Sequence, residues 1–250
     1  IAYFAENGYD VIITTGIGLR DDTLRAADLN PDAIFIGMNQ PDKEPRPNII
    51  PVTFAEDQMG FVAGALAARI SETQIIGAVC ETSGIDSIWR TCEGFRAGAN
   101  SARVDENIKI QVIYRDNGSS EELFIDEAWG YETGQKFIQR GADVIFAAGG
   151  VTGQGALRAA AEAQINAIGT ERDQAAVLGE SGSSVVTSIY GNASFEIQNV
   201  MRQLREGNIS EPQSSQIKYI PFDEKIPESL TQEMDALLLS LWNGEVKTGV

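Results

Sequence analysis

The stretch GADVIFAAGGVTGQG, residues 141–155, decides the fold class of this chain. Val144 to Ala148 form a continuous apolar run without polar alternation, which is typical of a strand covered on both faces in a parallel sheet. Four glycines follow between positions 149 and 155, and a helical pattern continues from Ala156. Ligands of open α/β sheets bind at the carboxyl ends of the strands, so we expect this turn to line a binding site.

The same alternation of apolar runs and helical patterns extends over the whole sequence. It predicts seven or eight strands separated by helices, and therefore a parallel α/β architecture in two lobes. The segment at 9–15 (YDVIITT) is a predicted buried strand, whereas Pro51 restricts the segment at 49–54 to a sheet edge. We place the first passage between the lobes near residues 71–74.

The composition is that of a globular protein. The chain has 250 residues, of which 43% are hydrophobic and 22% charged, enough for one large or two small domains. Its apolar runs are shorter than the roughly 20 residues that span a membrane, which predicts a soluble chain. The sequence begins in a helical pattern at Ile1, without a signal peptide or a lipobox cysteine, so we expect an N-terminal portion to precede it.

The formal charge of −17 argues against nucleic acid as a partner. Binding of phosphates requires clustered lysine and arginine side chains, and the sequence has no such cluster. Two interpretations of the acidity stay open: solubility in a salty or extracellular setting, or an ordinary solvated surface.

Histidine is absent, which excludes Ser-His-Asp and Cys-His catalysis and every His-ligated metal site. Cys80 and Cys92 lack the spacing of a structural metal site. They form a disulfide if the compartment is oxidising, or they are two independent, partly buried thiols. The segment TERDQ, residues 170–174, has too few oxygen ligands for a calcium site. We therefore expect neither a metal nor a cofactor.

The glycine-rich turn is not a phosphate-binding loop. No Lys-Ser/Thr pair follows it, and Arg158 stands where the dinucleotide-binding motif needs its third glycine. The glycines then have two interpretations. They allow tight packing of a strand against a helix, or they let a neutral ligand approach the backbone.

Polar side chains follow several predicted strands, namely Asn39, the pair Glu171 and Asp173, and Ser188 with Tyr190. Two interpretations apply. Each residue forms a turn or caps a helix by itself, or the residues converge in the fold and contact a ligand together. Glu171 and Asp173 have the chemistry of a general acid and base, but the sequence supplies no nucleophile or metal beside them.

Three aromatic residues lie near predicted loops or helix starts: Trp89, Phe124 and Trp129. Two interpretations apply to all three. They belong to the core, or they are flat surfaces on which a planar ligand stacks.

Seven segments together resemble one known family. They are YDVIITTGIGL, FAEDQMGFVAGALAARIS, EGFRAGA, GADVIFAAGGVTGQGA, AIGTERDQ, VVTSIY and LWNGEVKTGV. They are similar to the basic membrane protein family, the PnrA-like substrate-binding lipoproteins of ABC transporters, which bind purine nucleosides. The resemblance covers essentially the whole chain in the right order. It implies a type I periplasmic-binding-protein fold, with two Rossmann-like lobes, parallel sheets and a hinge, and about one βαβ unit before Ile1.

The resemblance also implies site residues. Phe124, in FIDEAWG, matches the aromatic residue that stacks on the purine, and Gly149 or Gly150 matches a glycine that contacts the ligand through its backbone. Three positions depart from the family. Asn39 replaces an Asp that recognises the base, Glu171 replaces an Asp that binds the ribose hydroxyls, and Gly191 replaces a Lys that reaches the sugar. Trp89 and Tyr190, which are chosen from their positions in the sequence and not from the resemblance, complete the predicted set.

The implied domains are an N-terminal lobe of residues 1–72 and 186–210 and a C-terminal lobe of residues 73–185 and 211–250. The predicted function is extracytoplasmic binding of a nucleoside, a nucleobase or a related planar solute, without catalysis. The implied partner is an ABC transporter permease, and a lipid anchor outside the visible chain is the only predicted membrane contact. The alternatives are a ligand-sensing regulator on the same fold and a nucleoside-acting enzyme.

Overall fold

A computed structural model describes residues 1–42, 46–102, 107–208 and 213–250 of the chain. Within these residues there are ten strands and nine α-helices. The strands are β1 (Val11–Thr15), β2 (Ile34–Met38), β3 (Ile49–Phe54), β4 (Ile75–Cys80), β5 (Lys109–Tyr114), β6 (Val144–Ala148), β7 (Asn166–Thr170), β8 (Val185–Gly191), β9 (Gln213–Ser215) and β10 (Ile217–Tyr219). The helices are α1 (Ala2–Glu6), α2 (Arg20–Leu29), α3 (Glu56–Ile70), α4 (Asp86–Ser101), α5 (Glu127–Gln139), α6 (Gly150–Glu162), α7 (Gln174–Leu178), α8 (Ala193–Arg205) and α9 (Glu228–Trp242).

The chain divides into two compact units, and each contains one sheet. Unit 1 comprises Ile1–Ala55 and Gly191–Gln216, and its strands have the order β1-β2-β3-β9. Unit 2 comprises Glu56–Tyr190 and Ile217–Val250, and its strands have the order β10-β8-β7-β6-β4-β5. The pairings among β1, β2, β3 and β9, and those among β4 to β8, are parallel. The predicted α/β class with parallel sheets is confirmed.

The first passage between the units follows Ala55, earlier than the predicted boundary at residue 72. The reason is the close packing of α3 against α4. Gly60 and Gly64 of α3 face the backbone of α4, and Gly94 and Gly98 of α4 face the backbone of α3. A Cβ atom at any of the four would overlap the facing backbone, so the two helices form one rigid pair within unit 2.

The second difference from the predicted domains concerns β8. Residues 186–210 were expected in the N-terminal lobe, but β8 pairs with β7 through Thr187, Ser188 and Ile189. This pairing places β8 up to Tyr190 in unit 2. The other predicted boundary, between residues 210 and 211, lies outside the described residues.

The stretch at 141–155 folds as its sequence predicts. All five residues of β6 are buried, between β4 and β7. Phe146 of β6 stacks on Phe95 of α4 with ring centroids 4.9 Å apart. The chain then passes through Gly149 directly into α6. The carboxyl end of β6 is therefore held in place by the surrounding strands and by α4.

Two strands of unit 1, β1 and β3, differ from the sequence-based expectation. β1 is an edge strand with alternating burial, and Ile13 is 46% exposed, so it is not buried on both faces. β3 is not an edge, because β9 pairs with Val52 to Phe54 on its other side. Pro51 precedes this pairing, so its missing N–H group removes no bond to β9.

Cys80 and Cys92 form a disulfide bond, which decides between the two alternatives. Cys80 is the last residue of β4, Cys92 lies on α4, and both are fully buried. The bond ties the carboxyl end of a central strand of unit 2 to the helix that follows it.

Candidate ligand-binding site

Gly149 and Gly150 connect β6 to α6 at the carboxyl edge of the unit 2 sheet, with φ angles of 126° and 59°. A Cβ atom on Gly149 would overlap the side chain of Glu81. A Cβ atom on Gly150 would stand 2.9 Å from the carbonyl oxygen of Phe124. Both glycines thus face residues that follow neighbouring strands. The two interpretations, packing of a strand against a helix and contact with a ligand, both stay predictions. The structure also brings Gly150 and Phe124 together, two of the predicted site residues.

Phe124 lies in the loop after β5 and has a φ angle of 68°. This left-handed conformation is unusual for a bulky side chain and costs free energy. The backbone compensates, because the Phe124 carbonyl oxygen accepts a hydrogen bond of 2.8 Å from the N–H group of Val151 in the first turn of α6. The backbone of this half-buried residue is therefore hydrogen-bonded to the start of that helix.

The left-handed conformation is shared by three predicted ligand residues. Among the described residues, five non-glycine residues have positive φ, and Asn39 (54°), Phe124 (68°) and Glu171 (70°) are three of them. Strained backbone of this kind concentrates at functional sites, where the surrounding structure enforces it. The conformation therefore supports the choice of these residues independently of their chemistry.

Glu171 directly follows β7 and donates its N–H group to the carbonyl oxygen of Ile189 at 3.0 Å. The residue is solvent-exposed. Desolvation raises the pKa of Glu171, while the charge of Arg172 acts in the opposite direction. Asp173, which was considered as its acid–base partner, instead accepts a 3.0 Å hydrogen bond from the N–H group of Ala176 and caps α7. Asp173 is thus a capping residue.

The other predicted aromatic residues have different environments. Trp89 lies in the first turn of α4 and is 39% exposed. Tyr190, near the end of β8, is half-buried. Trp129 packs against the core of unit 2, in agreement with the core interpretation. In the part of the chain that the structure describes, no ring–ring contact joins Phe124 to these residues.

In unit 1, Asn39 follows β2 and is half-buried. Its N–H group donates to the carbonyl oxygen of Val52 at 2.8 Å. The next residue, Gln40, is buried and donates from Nε2 to the carbonyl oxygen of Gly16 at 2.9 Å, while its Oε1 accepts a bond from Thr14. Asn39 is therefore bonded to β3, and its neighbour Gln40 is bonded to β1 and to the residue that follows it.

Gly191 also lies in unit 1, at the end of β8. A Cβ atom on this residue would overlap the ring of Phe54, the last residue of β3. Gly191, which the resemblance placed where a lysine was expected, is thus in direct contact with an aromatic ring. Phe54 is a residue that the sequence did not predict, since the apolar run at 49–54 marks it only as part of a strand.

Arg115, at the end of β5, was also not predicted. Its guanidinium group is 1% exposed and lies 3.3 Å from the carboxylate of Glu81, which is fully buried. Cys80 and Tyr114 are register partners, and the oppositely charged residues Glu81 and Arg115 follow them directly. The sequence shows the two charges but not the strand register that brings them together.

No group of three or more acidic or sulfur-containing side chains in the described residues could hold a metal ion. Over the same residues, none of the helices combines the length and the apolar character needed to cross a membrane.

Comparison with known proteins agrees with these observations. The sequence model of the Bmp family, described as ABC transporter substrate-binding protein PnrA-like, matches residues 1–219. The "ABC transporter nucleoside-binding protein BmpA" of Lactococcus lactis is 30% identical over 174 residues, which are 70% of this chain and 46% of that protein. "Basic membrane protein B" of Borreliella burgdorferi is 28% identical over 239 residues, which are 88% of this chain and 67% of that protein.

A solved structure shows the same fold. An ABC transporter solute-binding protein from Conexibacter woesei superposes with a TM-score of 0.80 and 23% sequence identity, over 99% of this chain and 81% of that one. The expected type I periplasmic-binding-protein fold is confirmed. The match of the family model over most of the sequence shows that this chain belongs to the Bmp family of PnrA-like ABC transporter substrate-binding proteins.

Proposed function

We propose that this chain is the ligand-binding part of an extracytoplasmic ABC transporter substrate-binding protein, and that its ligand is a purine nucleoside or a related planar solute. Membership of the Bmp family supports the transport role. The nucleoside binding named for the Lactococcus lactis relative supports the ligand class. The partner is the permease of the transporter, and attachment to the membrane is through a lipid anchor outside residues 1–250.

The conformation of Phe124 is the observation that carries this proposal. Its half-buried ring follows a strained backbone that the start of α6 holds in place, at the carboxyl edge of the unit 2 sheet. An aromatic face held in this way provides a stacking surface for a purine, and each stacked base contributes about 1–3 kcal/mol. In the same unit, the carboxyl group of Glu171 accepts hydrogen bonds from the hydroxyl groups of a sugar.

Asn39 of unit 1 is the proposed residue for recognition of the base. Its amide both donates and accepts, whereas the aspartate that the family has at this position only accepts when ionised. The base preference of this chain is therefore expected to differ from that pattern. Asn39→Asp is expected to change the order of affinities among adenosine, guanosine and inosine.

Isothermal titration calorimetry of the purified protein with purine nucleosides and free purine bases tests the proposal. The wild-type protein is expected to bind at least one of them, and Phe124→Ala to bind it about 5- to 150-fold more weakly. Trp242→Ala on α9 is the control, because it also removes an aromatic side chain from unit 2, one that is 38% exposed and has no proposed role. If the folded wild-type protein gives no heat with any purine, the ligand class is wrong.

The proposal describes a binding protein and not an enzyme. Incubation with inosine is therefore expected to leave the nucleoside intact. Release of hypoxanthine by the wild-type protein, measured by chromatography against a protein-free control, would contradict this part of the proposal.

A further inference from the structure

The loop between β5 and α5 is folded around the guanidinium group of Arg115. Nη1 and Nη2 donate to the carbonyl oxygen of Ser119 at 3.3 and 3.2 Å, and Nε donates to Oδ2 of Asp126 at 3.0 Å. Glu122 adds a carboxylate 3.7 Å from Nη2. Gly118 lies against the same group, since a Cβ atom there would overlap Nη1. The guanidinium group thus connects both ends of the loop with its middle.

The other side of the guanidinium group faces Glu81, which fixes it to the sheet. The Glu81 side chain is fully buried, and both carboxylate oxygens lack a hydrogen-bond partner within the described residues. Arg115 is the cation next to this carboxylate, at 3.3 Å. A buried charge without its counter-ion is strongly unfavourable, so Glu81 retains Arg115 at the end of β5 and the loop follows.

The loop connects the Arg115 guanidinium group to Phe124 through Asp126. Asp126 accepts the N–H group of Trp129 through Oδ1 and Arg115 through Oδ2, so it caps α5 and binds the guanidinium group at the same time. Its own N–H group donates to Oγ1 of Thr152 at 3.1 Å. Phe124, two residues earlier, is therefore held between the Arg115 contacts and the first turn of α6.

We propose that Arg115 is a positioning residue that holds Phe124 in its left-handed conformation and presents the ring for stacking. This inference rests on the proposed function for its consequence in binding, but the placement of Phe124 is testable without a ligand. Lysine is not equivalent at this position, because one ammonium group cannot replace the planar fork that reaches Asp126, Ser119 and Glu81 together.

The ligand-free test is hydrogen exchange of the Val151 amide, whose N–H group donates to the Phe124 carbonyl oxygen. Arg115→Lys replaces the guanidinium group by an ammonium group. Gly118→Ala displaces the guanidinium group, because the added Cβ atom would overlap Nη1. Both are expected to accelerate exchange at Val151 by about tenfold under conditions where the protein stays folded. Unchanged exchange in both variants would overturn the proposal.

The binding test is a double-mutant cycle with Phe124→Ala, using the purine that the wild-type protein binds. Arg115→Lys is expected to weaken binding about tenfold when Phe124 is present and less than twofold in the Phe124→Ala background. An equal loss in both backgrounds would mean that Arg115 does not act through Phe124. If the wild-type protein binds no purine, the proposed function fails, and the exchange measurement still decides the positioning role.

Arg69→Lys is the matched control. Arg69 also lies in unit 2 and also has several acceptors, namely the Glu233 carboxylate and the Ala102 carbonyl oxygen. Its substitution is expected to change neither exchange at Val151 nor purine affinity. Gly84→Ala is the control for Gly118→Ala, since a Cβ atom there meets only Oγ1 of Thr82 at an ordinary 3.4 Å.

Discussion

The ring of Phe54 packs directly on Gly191, and it occupies the space that a side chain at position 191 would need. Both residues belong to unit 1, and Phe54 also packs against the apolar cluster formed by β2, β3 and α8. The end of β8 in unit 1 is therefore a contact between an aromatic ring and a backbone that carries no side chain.

Gly191→Ala is expected to lower the free energy of unfolding by about 1–3 kcal/mol, because the added methyl group forces the Phe54 ring out of its position. Urea denaturation followed by circular dichroism measures this loss. In a Phe54→Ala background the same substitution is expected to cost less than about 1 kcal/mol, since the ring is gone. The same cost in both backgrounds would mean that the ring does not restrict residue 191.

The disulfide between Cys80 and Cys92 is expected to stabilise unit 2 substantially. Closure of a loop with a sequence separation of 12 restricts the unfolded chain by about 3 kcal/mol in the chain-entropy account. Urea denaturation with and without a phosphine reductant measures the difference. The double variant Cys80→Ala/Cys92→Ala is the control and is expected to be insensitive to the reductant. A wild-type midpoint that does not change on complete reduction would contradict this prediction.

The carboxylate of Asp57, at the start of α3, gives a pH-dependent contribution to stability. It accepts hydrogen bonds of 2.6 Å from Arg90 and from Thr248 in the C-terminal segment. Desolvation, the largest single influence, raises the pKa of Asp57, but the bonds from Thr248 and Arg90 and the Arg90 charge together outweigh it and lower the pKa. Because the folded-state pKa lies below the unfolded-state value, the contribution is present above the unfolded-state pKa. It is lost as the pH falls through the folded-state pKa.

Asp57→Asn is therefore expected to lower the free energy of unfolding by about 2 kcal/mol near neutral pH. The difference from the wild-type protein is expected to shrink below about pH 4, where aspartate begins to protonate. Denaturation curves at several pH values measure it. Glu132→Gln, whose carboxyl side chain is 68% exposed, serves as the control with a small difference at every pH. A difference that stays constant down to strong acid would show that the Asp57 charge is not responsible.

The elements that the sequence predicts well are those with an uninterrupted apolar pattern. The predictions of β6 and α6 are confirmed. Five consecutive apolar residues followed by a glycine-rich turn are compatible with few structures other than a buried strand that leads into a helix. β9 (Gln213–Ser215) was not predicted, because its three polar residues have no apolar pattern and its pairing with β3 is set by tertiary structure. Short strands at sheet edges of this kind lack a local signal.

The domain boundary differs from the prediction for another reason. The apolar face of α3 shows that the helix is buried but does not show which unit buries it. The informative signal was the glycine spacing, since Gly60 and Gly64 on α3 and Gly94 and Gly98 on α4 repeat at four residues. Small residues at this interval on two helices indicate that their backbones approach closely. Phe124 could be predicted as a site residue from its residue type. The buried ion pair of Glu81 and Arg115 could not, because the register of two strands brings these residues together.

The two glycines after β6 are expected to respond differently to alanine, which tests whether packing and ligand binding separate at this turn. Gly149 has a φ angle of 126°, which an L side chain rarely adopts, and its Cβ atom would overlap Glu81. Gly149→Ala is therefore expected to destabilise the protein by more than about 2 kcal/mol. Gly150 has a φ angle of 59°, and its Cβ atom would approach the Phe124 carbonyl oxygen and Cβ at 2.9 and 3.1 Å.

Gly150→Ala acts on a different neighbour, so its effect is expected mainly in binding. A displacement of a few tenths of an ångström moves the Phe124 ring away from its stacking position, with a smaller loss of stability, about 1 kcal/mol. Urea denaturation ranks the two variants by stability, and calorimetry with the bound purine measures the affinity of Gly150→Ala at a temperature where it is fully folded. Weakened binding in Gly150→Ala that persists in a Phe124→Ala background would show that Gly150 contacts the ligand through its own backbone, which is the alternative that its sequence position allowed.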